Sequence, residues 1–453
     1  MTERDAGVPP SASAAAAAAD AAGATTLRGR ARTAIAAWCL YDFGNSAFPT
    51  VIVTFLFGAY VARAVAPDIE SGTAAWGHAM TISGLAVALM SPIVGAIADA
   101  GGRRKPWIAV LTAIAVVATA LLWYVRPEPG SLAFALIAVA IASFGFELAL
   151  VFYNAMLLQV APQRLLGRVS GWGWAAGYAG GLICLALSLV LFVQADPPPF
   201  GLDMAAAEPV RIAGPLVALW FALFALPLFF FVPDRKPTGR GFADAASVGI
   251  LSLWATLRQV RRYGNAARFL LAQMLYLDGL HTLFVFGGIY AAGSFGMGFD
   301  EILIFGVLLN VASGIGAVGF AWVDDRLGSK PTIVIGLLAL IALGIAILLV
   351  TDKTWFYVLA IAIGIFLGPV QSASRSMMAH LAPVSLATQF FGLAALAGKA
   401  TAFLGPMMVA WLTIGFSSQR VGMATIPFLL AIGLLLLLTV RAPRRAAGET
   451  PTS

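Results

Sequence analysis

From residue 35 onward the chain is a succession of long apolar runs separated by short polar breaks. A helix needs about 20 apolar residues to cross the hydrocarbon core of a bilayer. Runs of that kind fall at 35–62, 75–98, 106–125, 131–158, 170–194 and 211–232, then at 265–292, 301–323, 331–350, 354–380, 387–413 and 421–440. They are continuous, whereas a membrane β-barrel would alternate in segments of about ten residues. The pattern predicts an all-α membrane protein with twelve transmembrane helices. Residues 233–264 interrupt the rhythm. PDRKPTGRGF is polar and turn-rich, and SVGILSLWATLRQVRR sets Val248, Leu251, Trp254 and Leu257 at helical spacing ahead of a group of arginines. A short amphipathic helix is expected there, lying on the membrane surface, packed on the bundle, or both. Residues 1–34, rich in Ala, Gly and Pro, read as a disordered tail rather than a cleaved signal, and residues 441–453 as a second tail.

The positions of the charges orient these spans. Twenty-one of the 28 lysines and arginines fall in the two tails, in the loops after spans 2, 4 and 8, and in the central linker and the start of span 7. Five fall in the opposite loops, and Arg375 and Lys399 lie inside spans. The bias puts both termini in the cytoplasm. The short loops and the absence of targeting text point most simply to a bacterial inner membrane. The net charge of +7 follows from these loops and implies no nucleic-acid partner. Only 11% of the residues are charged, against roughly 25% in soluble domains, which excludes a soluble enzyme. Cys39 and Cys184 lie in apolar stretches, and His78, His281 and His380 lack metal-ligand spacing, so no metal or cofactor is expected.

The two sets of six spans repeat one another. LYDFGNSAF in span 1 matches LYLDGLHTLF in span 7, aligning Asp42, Asn45 and Ser46 with Asp278, His281 and Thr282. GAIADAGGRRKP after span 2 matches AWVDDRLGSKP after span 8, aligning Asp99 with Asp325 and Gly102 with Gly328. NAMLLQVAP ending span 4 matches RSMMAHLAP ending span 10, aligning Asn154 with Arg375. Three matches in one order imply two six-helix bundles, 35–232 and 265–440. They would be related by a pseudo-two-fold axis along the membrane normal, with a site between them near the midplane.

This plan resembles the major facilitator superfamily. The superfamily's loop motif is present as Gly95, Asp99, Gly102, Arg103 and Arg104, with Ala100 where an Arg is usual. The second copy keeps Asp325, Arg326, Gly328 and Lys330 but has Ala321 for the first Gly. WCLYDFGNSAF in span 1 and GRVSGWGWAAGYAGG in span 5 are similar to the autophagy-related vacuolar effluxer family and its bacterial relatives. The resemblance implies a secondary transporter in which helices 1, 4, 7 and 10 line a central cavity. It also implies that Asp99 pairs with a neighbouring helix end in one conformation and releases it in the other. The antiporter motif of some superfamily members wants a Pro after the Gly; Tyr178 follows Gly177, so drug export is not inferred. The glycines of span 5 read mainly as close-packing positions.

A charge at the bilayer centre costs about 2.5–3.5 kcal/mol on insertion scales. Asp42, Glu147, Asp278, Arg375 and Lys399 sit inside spans all the same. Asp42 shares a helical face with Asn45 and Ser46, Arg375 shares one with Gln371 and Ser374, and Glu147 is two turns from Asn154 on one side of its helix. Two of the three acids can pair with Arg375 and Lys399. The third is left without a countercharge, and desolvation disfavours its charged form, which offers a route to proton coupling. The alternative for each pair is a purely structural lock between helices. No phosphate loop, dinucleotide fingerprint, nucleophile elbow or H-E-x-x-H is present, so no enzyme is expected. The reading is a secondary active transporter that moves a small polar solute, an amino acid or related zwitterion, by proton-coupled alternating access. The substrate/proton residues expected are Asp42, Asn45, Glu147, Asn154, Asp278, His281, Gln371, Arg375 and Lys399. The alternatives are a lipid flippase or scramblase and a non-transporting receptor or assembly factor. No feature sets an oligomeric state, and a monomer in the lipid bilayer is the expectation.

Overall fold

The computed structural model describes residues 12–259 and 262–441. Residues 1–11 of the expected N-terminal tail, Arg261 in the linker and the tail from 442 lie outside the described residues. Among the described residues, twelve helices are long and apolar enough to cross a membrane. Helices 1–6 are Gly29–Val65, Ile69–Gly101, Lys105–Tyr124, Pro129–Val160, Gln163–Val193 and Glu208–Phe231. Helices 7–12 are Gly264–Phe295, Glu301–Leu327, Ser329–Leu349, Lys353–Leu381, Val384–Phe416 and Gln419–Leu438. Each coincides with one apolar run of the sequence. Helical backbone also continues upstream of helix 1 to Ala12, within the stretch that composition marks as disordered. Alanine is the strongest helix former, and the run at 14–19 outweighs the interspersed glycines.

Helices 1–6 and 7–12 meet mainly through helix 2 on helix 11 and helix 5 on helix 8. Glycine sets both contacts. Gly95 lies on the backbone of Thr388 and Gln389, and Gly392 on that of Ser91 and Pro92, so helices 2 and 11 touch main chain to main chain. The Ser91 hydroxyl donates to the Gly392 carbonyl at 3.0 Å across the same crossing. In helix 5, Gly173, Gly177 and Gly181 press on Asp42, Ser46 and Thr50 of helix 1, while Gly171 faces Ala317 and Ala321 of helix 8. The contacts between the two sets of helices lie toward the arginine-rich ends, here called the basic face.

Helices 1 and 11 are both interrupted. Helix 1 widens into a π-helix over Phe48–Phe55. Pro49 brings no N–H to the ladder and its ring crowds the preceding turn, so the wider turn relieves both problems. Helix 11 is helical over Ala387–Ala400, turns through 401–403, and restarts as Leu404–Phe416. Pro406 lies in the first turn of the restart, where its missing N–H is harmless.

The central linker carries a helix, Phe242–Arg258. Ala245, Gly249, Leu253 and Thr256 are its buried stripe. Gly249 rests on the backbone of Ala96 and Ile97 near the end of helix 2. The linker helix is therefore packed on the bundle. Of the predicted apolar row, Leu251, Trp254 and Leu257 remain exposed, together with Ile250.

A methyl group at Gly180 would run into the Phe43 carbonyl of helix 1, whereas one at Gly77 meets nothing within 4 Å. Overpacking of this kind costs about 1–3 kcal/mol. Gly180→Ala is expected to lower the thermal unfolding midpoint of the purified protein by several degrees while Gly77→Ala leaves it in place. Equal midpoints would disprove the close contact.

Candidate functional site

Arg375 of helix 10 is almost fully buried, and every polar partner of its guanidinium belongs to the opposite bundle. Nη1 donates to Asp42 Oδ2 of helix 1 at 2.9 Å and to Asn154 Oδ1 of helix 4 at 3.3 Å. Nε donates to Ser170 Oγ of helix 5 at 2.9 Å, and Nη2 to the Ser170 carbonyl at 2.6 Å. The guanidinium lies over the Trp38 ring, 4.7 Å from its centroid. Trp38 stacks in turn on Tyr153, and Tyr153 on Tyr41. Asn45 Nδ2 donates to Asp42 Oδ1 at 3.4 Å. The side chains of Arg375 and Asp42 are only 6% and 9% exposed, so this charge pair is sealed from water. It also lies off the expected midplane. Arg375 is six residues from the end of helix 10 at Leu381, about 9 Å at 1.5 Å per residue. The pair closes the basic half of the bundle interface.

A second pair lies deeper. Lys399 Nζ of helix 11 donates to Glu147 Oε1 of helix 4 at 2.8 Å. Glu147 precedes the end of helix 4 at Val160 by thirteen residues, about 20 Å. Its side chain is 26% exposed and that of Lys399 is 30%, so this pair is open where the first is closed. Lys399 occupies the last turn of the first part of helix 11, where the helix dipole favours a cation.

Asp278 has no ion-pair partner within salt-bridge distance among the described residues. It is fully buried within the C-terminal bundle rather than lining the space between the bundles as expected. The reason is the interruption of helix 11. The restarting helix presents backbone N–H groups without helical acceptors, and the Gly405 N–H donates to Asp278 Oδ2 at 3.1 Å. Asp278 Oδ1 has no hydrogen-bond partner. His281, one of the expected substrate/proton residues, is exposed and lies within electrostatic reach of Lys399. Gln371 Oε1 accepts from the Tyr178 hydroxyl of helix 5 at 3.2 Å, another bond between the bundles.

The two loop motifs grip helix starts in the opposite bundle. Asp99 accepts from Thr388 Oγ1 at 2.7 Å and from the Gln389 N–H at 2.9 Å, both near the start of helix 11. Arg104, buried beside it, donates to Asp99 at 3.2 Å, to Thr388 Oγ1 at 2.8 Å and to the Ala155 carbonyl at 3.0 Å. Burial lowers the Arg104 guanidinium from its usual range, and the Asp99 charge opposes the shift. In the second half, Asp325 accepts from the Arg168 N–H near the start of helix 5 at 2.9 Å and pairs with its Nε at 3.0 Å. A carboxylate at a helix start is favoured by the dipole and the unpaired N–H groups. Gly102 and Gly328 have φ of +92° and +100°, backbone that a side chain would strain. Arg103 meets Asp234 only at 3.8 Å and is well exposed, and Arg326 stands in the last turn of helix 8. Sequence reasoning did not single out Ser170, Thr388, Gln389, Trp38 or Tyr153 as partners. No local pattern marks them, because each is chosen by a helix from the other bundle or by the stacking column.

Toward the face opposite the basic one, a cavity of about 290 Å³ lies between Thr54, Phe55 and Ala59 of helix 1 and residues of helices 7, 8 and 10, among them Phe284, Ile302 and Phe305. Its lining is largely apolar. Ser374 is buried, its hydroxyl 2.7 Å from that of Tyr276. Asn154 and Gln371 are engaged between the bundles.

A family model described as vacuole effluxer Atg22 like matches residues 160–448. The chain is 27% identical over 406 residues to the uncharacterized MFS-type transporter YxiO of Bacillus subtilis, across 88% of this chain and 93% of that one. It is 27% identical over 306 residues to autophagy-related protein 22 of Cryptococcus neoformans, across 62% of this chain and 52% of the relative. It thus spans about half the length of that fungal protein. Among solved structures, the fold superposes on the proton:xylose symporter XylE with a TM-score of 0.68 at 15% identity, covering 92% of this chain and 97% of that one. It also superposes on FucP in its outward conformation with a TM-score of 0.69 at 13% identity, covering 90% and 98%. At such identities the likeness is one of fold.

Removing one partner of a buried ion pair costs about 3–5 kcal/mol, because the other charge stays buried. Arg375→Leu and Asp42→Asn are each expected to lower thermal stability sharply, and the double substitution to recover part of the loss. Strict additivity in that cycle would show that the two charges do not interact. Asp99→Asn should loosen helix 11 at its start and speed alkylation of a cysteine placed at Ser91, in a background lacking Cys39 and Cys184. An unchanged labelling rate would exclude a role for Asp99 in keeping that crossing closed.

Proposed function

Since the chain belongs to the vacuole effluxer Atg22-like family of major facilitator transporters, we propose that it moves a small zwitterion of the amino-acid class by proton-coupled alternating access. The observation that carries this reading is the Glu147–Lys399 pair, which joins the two bundles at mid-depth while remaining open to solvent. Its two charges match those of an amino acid. The substrate carboxylate replaces Glu147 on Lys399, and the substrate ammonium replaces Lys399 on Glu147. The apolar cavity beyond, lined by Phe55, Phe284 and Phe305, suits an uncharged side chain. A ligand shifts a conformational equilibrium only by its differential affinity for the two states. A ligand that breaks an ion pair between the bundles has such a difference built in. The membrane is proposed to be a bacterial inner membrane with both termini in the cytoplasm, which makes the basic face cytoplasmic and the present arrangement closed to the cytoplasm.

Asp278 is the proposed proton carrier. Asp42 and Glu147 each have a fixed countercharge, and Asp278 has none among the described residues. Its carboxylate holds the Gly405 N–H at the restart of helix 11, a few residues past Lys399. A proton arriving on Asp278 weakens that hydrogen bond and frees the break in helix 11 to bend. The bend moves Lys399 relative to Glu147. Proton and substrate thus act on one helix from its two sides. The lipid-flippase alternative is less favoured, because Asn154, Gln371 and Ser374 are engaged inside the protein.

The test is uptake of labelled amino acids into proteoliposomes with and without an imposed pH gradient. Glu147→Gln and Lys399→Gln are each expected to lower uptake at least about tenfold, the loss of one charge-assisted hydrogen bond. Asp278→Asn should abolish the dependence on the gradient while preserving exchange of internal for external substrate. No uptake of any amino acid by folded, inserted protein would remove the proposed cargo. Gradient-dependent uptake by the Asp278 variant would remove the proposed proton site.

A further inference from the structure

The linker helix Phe242–Arg258 carries more than a tether between bundles requires. Its buried stripe, Ala245, Gly249, Leu253 and Thr256, faces the end of helix 2. From that same perch, Ser252 Oγ lies 3.4 Å from Gln389 Oε1 of helix 11. Gln389 is the residue whose N–H is gripped by Asp99. The helix therefore touches both sides of the closed crossing on the basic face. A second flank, Ile250, Trp254 and Leu257, follows the i, i+4, i+7 spacing and is left uncovered by the described residues, with exposures of 51%, 55% and 48%. Between this flank and the polar arc of Ser247, Asp244 and Gln259 stands Arg258, whose guanidinium lies 5.1 Å from the centroid of the Trp254 ring. Arg240, Arg262 and Lys236 are exposed nearby, and among the described residues of the helix Asp244 is the one acid, already paired with Arg240 at 3.6 Å. An uncovered apolar flank that carries a tryptophan and is bordered by arginines has the chemistry of an interfacial helix on an anionic surface.

We propose that this flank docks on the anionic phospholipids of the adjoining leaflet and thereby holds the basic face closed. This inference rests on the alternating-access reading, since it needs a second conformation to bias. Anionic headgroups attract Arg258, Arg262 and Arg240, the bilayer receives Ile250, Trp254 and Leu257, and the helix is thereby pinned across helices 2 and 11. In a neutral leaflet the apolar flank still inserts, but the electrostatic part is lost and the crossing opens more readily.

The experiment reads conformation rather than transport. Spin labels at Arg164→Cys and Val384→Cys, exposed on opposite bundles at the basic face, are introduced in a background without Cys39 and Cys184. Distance distributions are then recorded in nanodiscs of phosphatidylcholine alone and of equal parts phosphatidylcholine and phosphatidylglycerol. The anionic lipid is expected to raise the ratio of short to long distance about fivefold, the scale of one basic residue at such a surface. Trp254→Ser combined with Arg258→Gln and Arg262→Gln, all at exposed positions, should remove most of that response without changing the unfolding midpoint. Equal ratios in the two lipids, a full response in the triple variant, or a single distance under every condition would each overturn the proposal. The last result would also count against alternating access, whereas the first two leave it standing.

Discussion

A guanidinium cannot be left bare in a hydrocarbon layer, and the solvation of Arg375 organises much of what surrounds it. The residue stands on one bundle and takes all its polar partners from the other: Asp42, Asn154 and Ser170. Its ring contact leads through Trp38 and Tyr153 to Tyr41, deep in the N-terminal bundle. Helix 5 must come close enough to offer the Ser170 carbonyl, which explains why its inner face is glycine. A Cβ at Gly173 would meet Trp38, Arg375 and Asp42 together. The price of burying one charge is thus met by three helices, and the two bundles are joined where it is met.

The motif carboxylates repeat that logic with partial charges. Asp99 and Asp325 each satisfy the start of a helix that belongs to the other bundle. These bonds join the bundles in the present arrangement, and separating the bundles would strip both the carboxylates and the helix starts of these partners. An interface held by full and partial charges, with glycines for close approach, is bistable in character. It is well satisfied when shut and can be satisfied by water when open. A purely apolar seam in lipid would have no such alternative.

Much of this was legible in the sequence, for definite reasons. Membrane helices announce themselves by length and hydropathy, so all twelve spans were found, and the internal repeat located Asp42, Asp278 and the two motif copies. That two acids would pair with two bases and one would be left over follows from counting. Which acid is left over does not. Asp278 lies within its own bundle, beside the break in helix 11, and spacing along helix 7 does not reveal a break in another helix. The depth of the Asp42–Arg375 pair was likewise hidden, since spacing along one helix fixes a face but not a height relative to partners elsewhere. The upstream continuation of helix 1 was missed because low complexity was weighed above alanine's propensity.

The contrast between the two charge pairs is also one of hydration. Around Arg375 each donor nitrogen has a protein acceptor, and the pair is shut from solvent. The guanidinium cannot leave those acceptors for nothing; water molecules have to arrive as they go. The Glu147–Lys399 pair, already wet, asks for no such delivery. In the proposed alternating-access cycle, opening the basic face is therefore a hydration step. Osmolytes excluded from so narrow a seam oppose that uptake of water, and in the proposed cycle they hold the face shut without touching any residue of the protein.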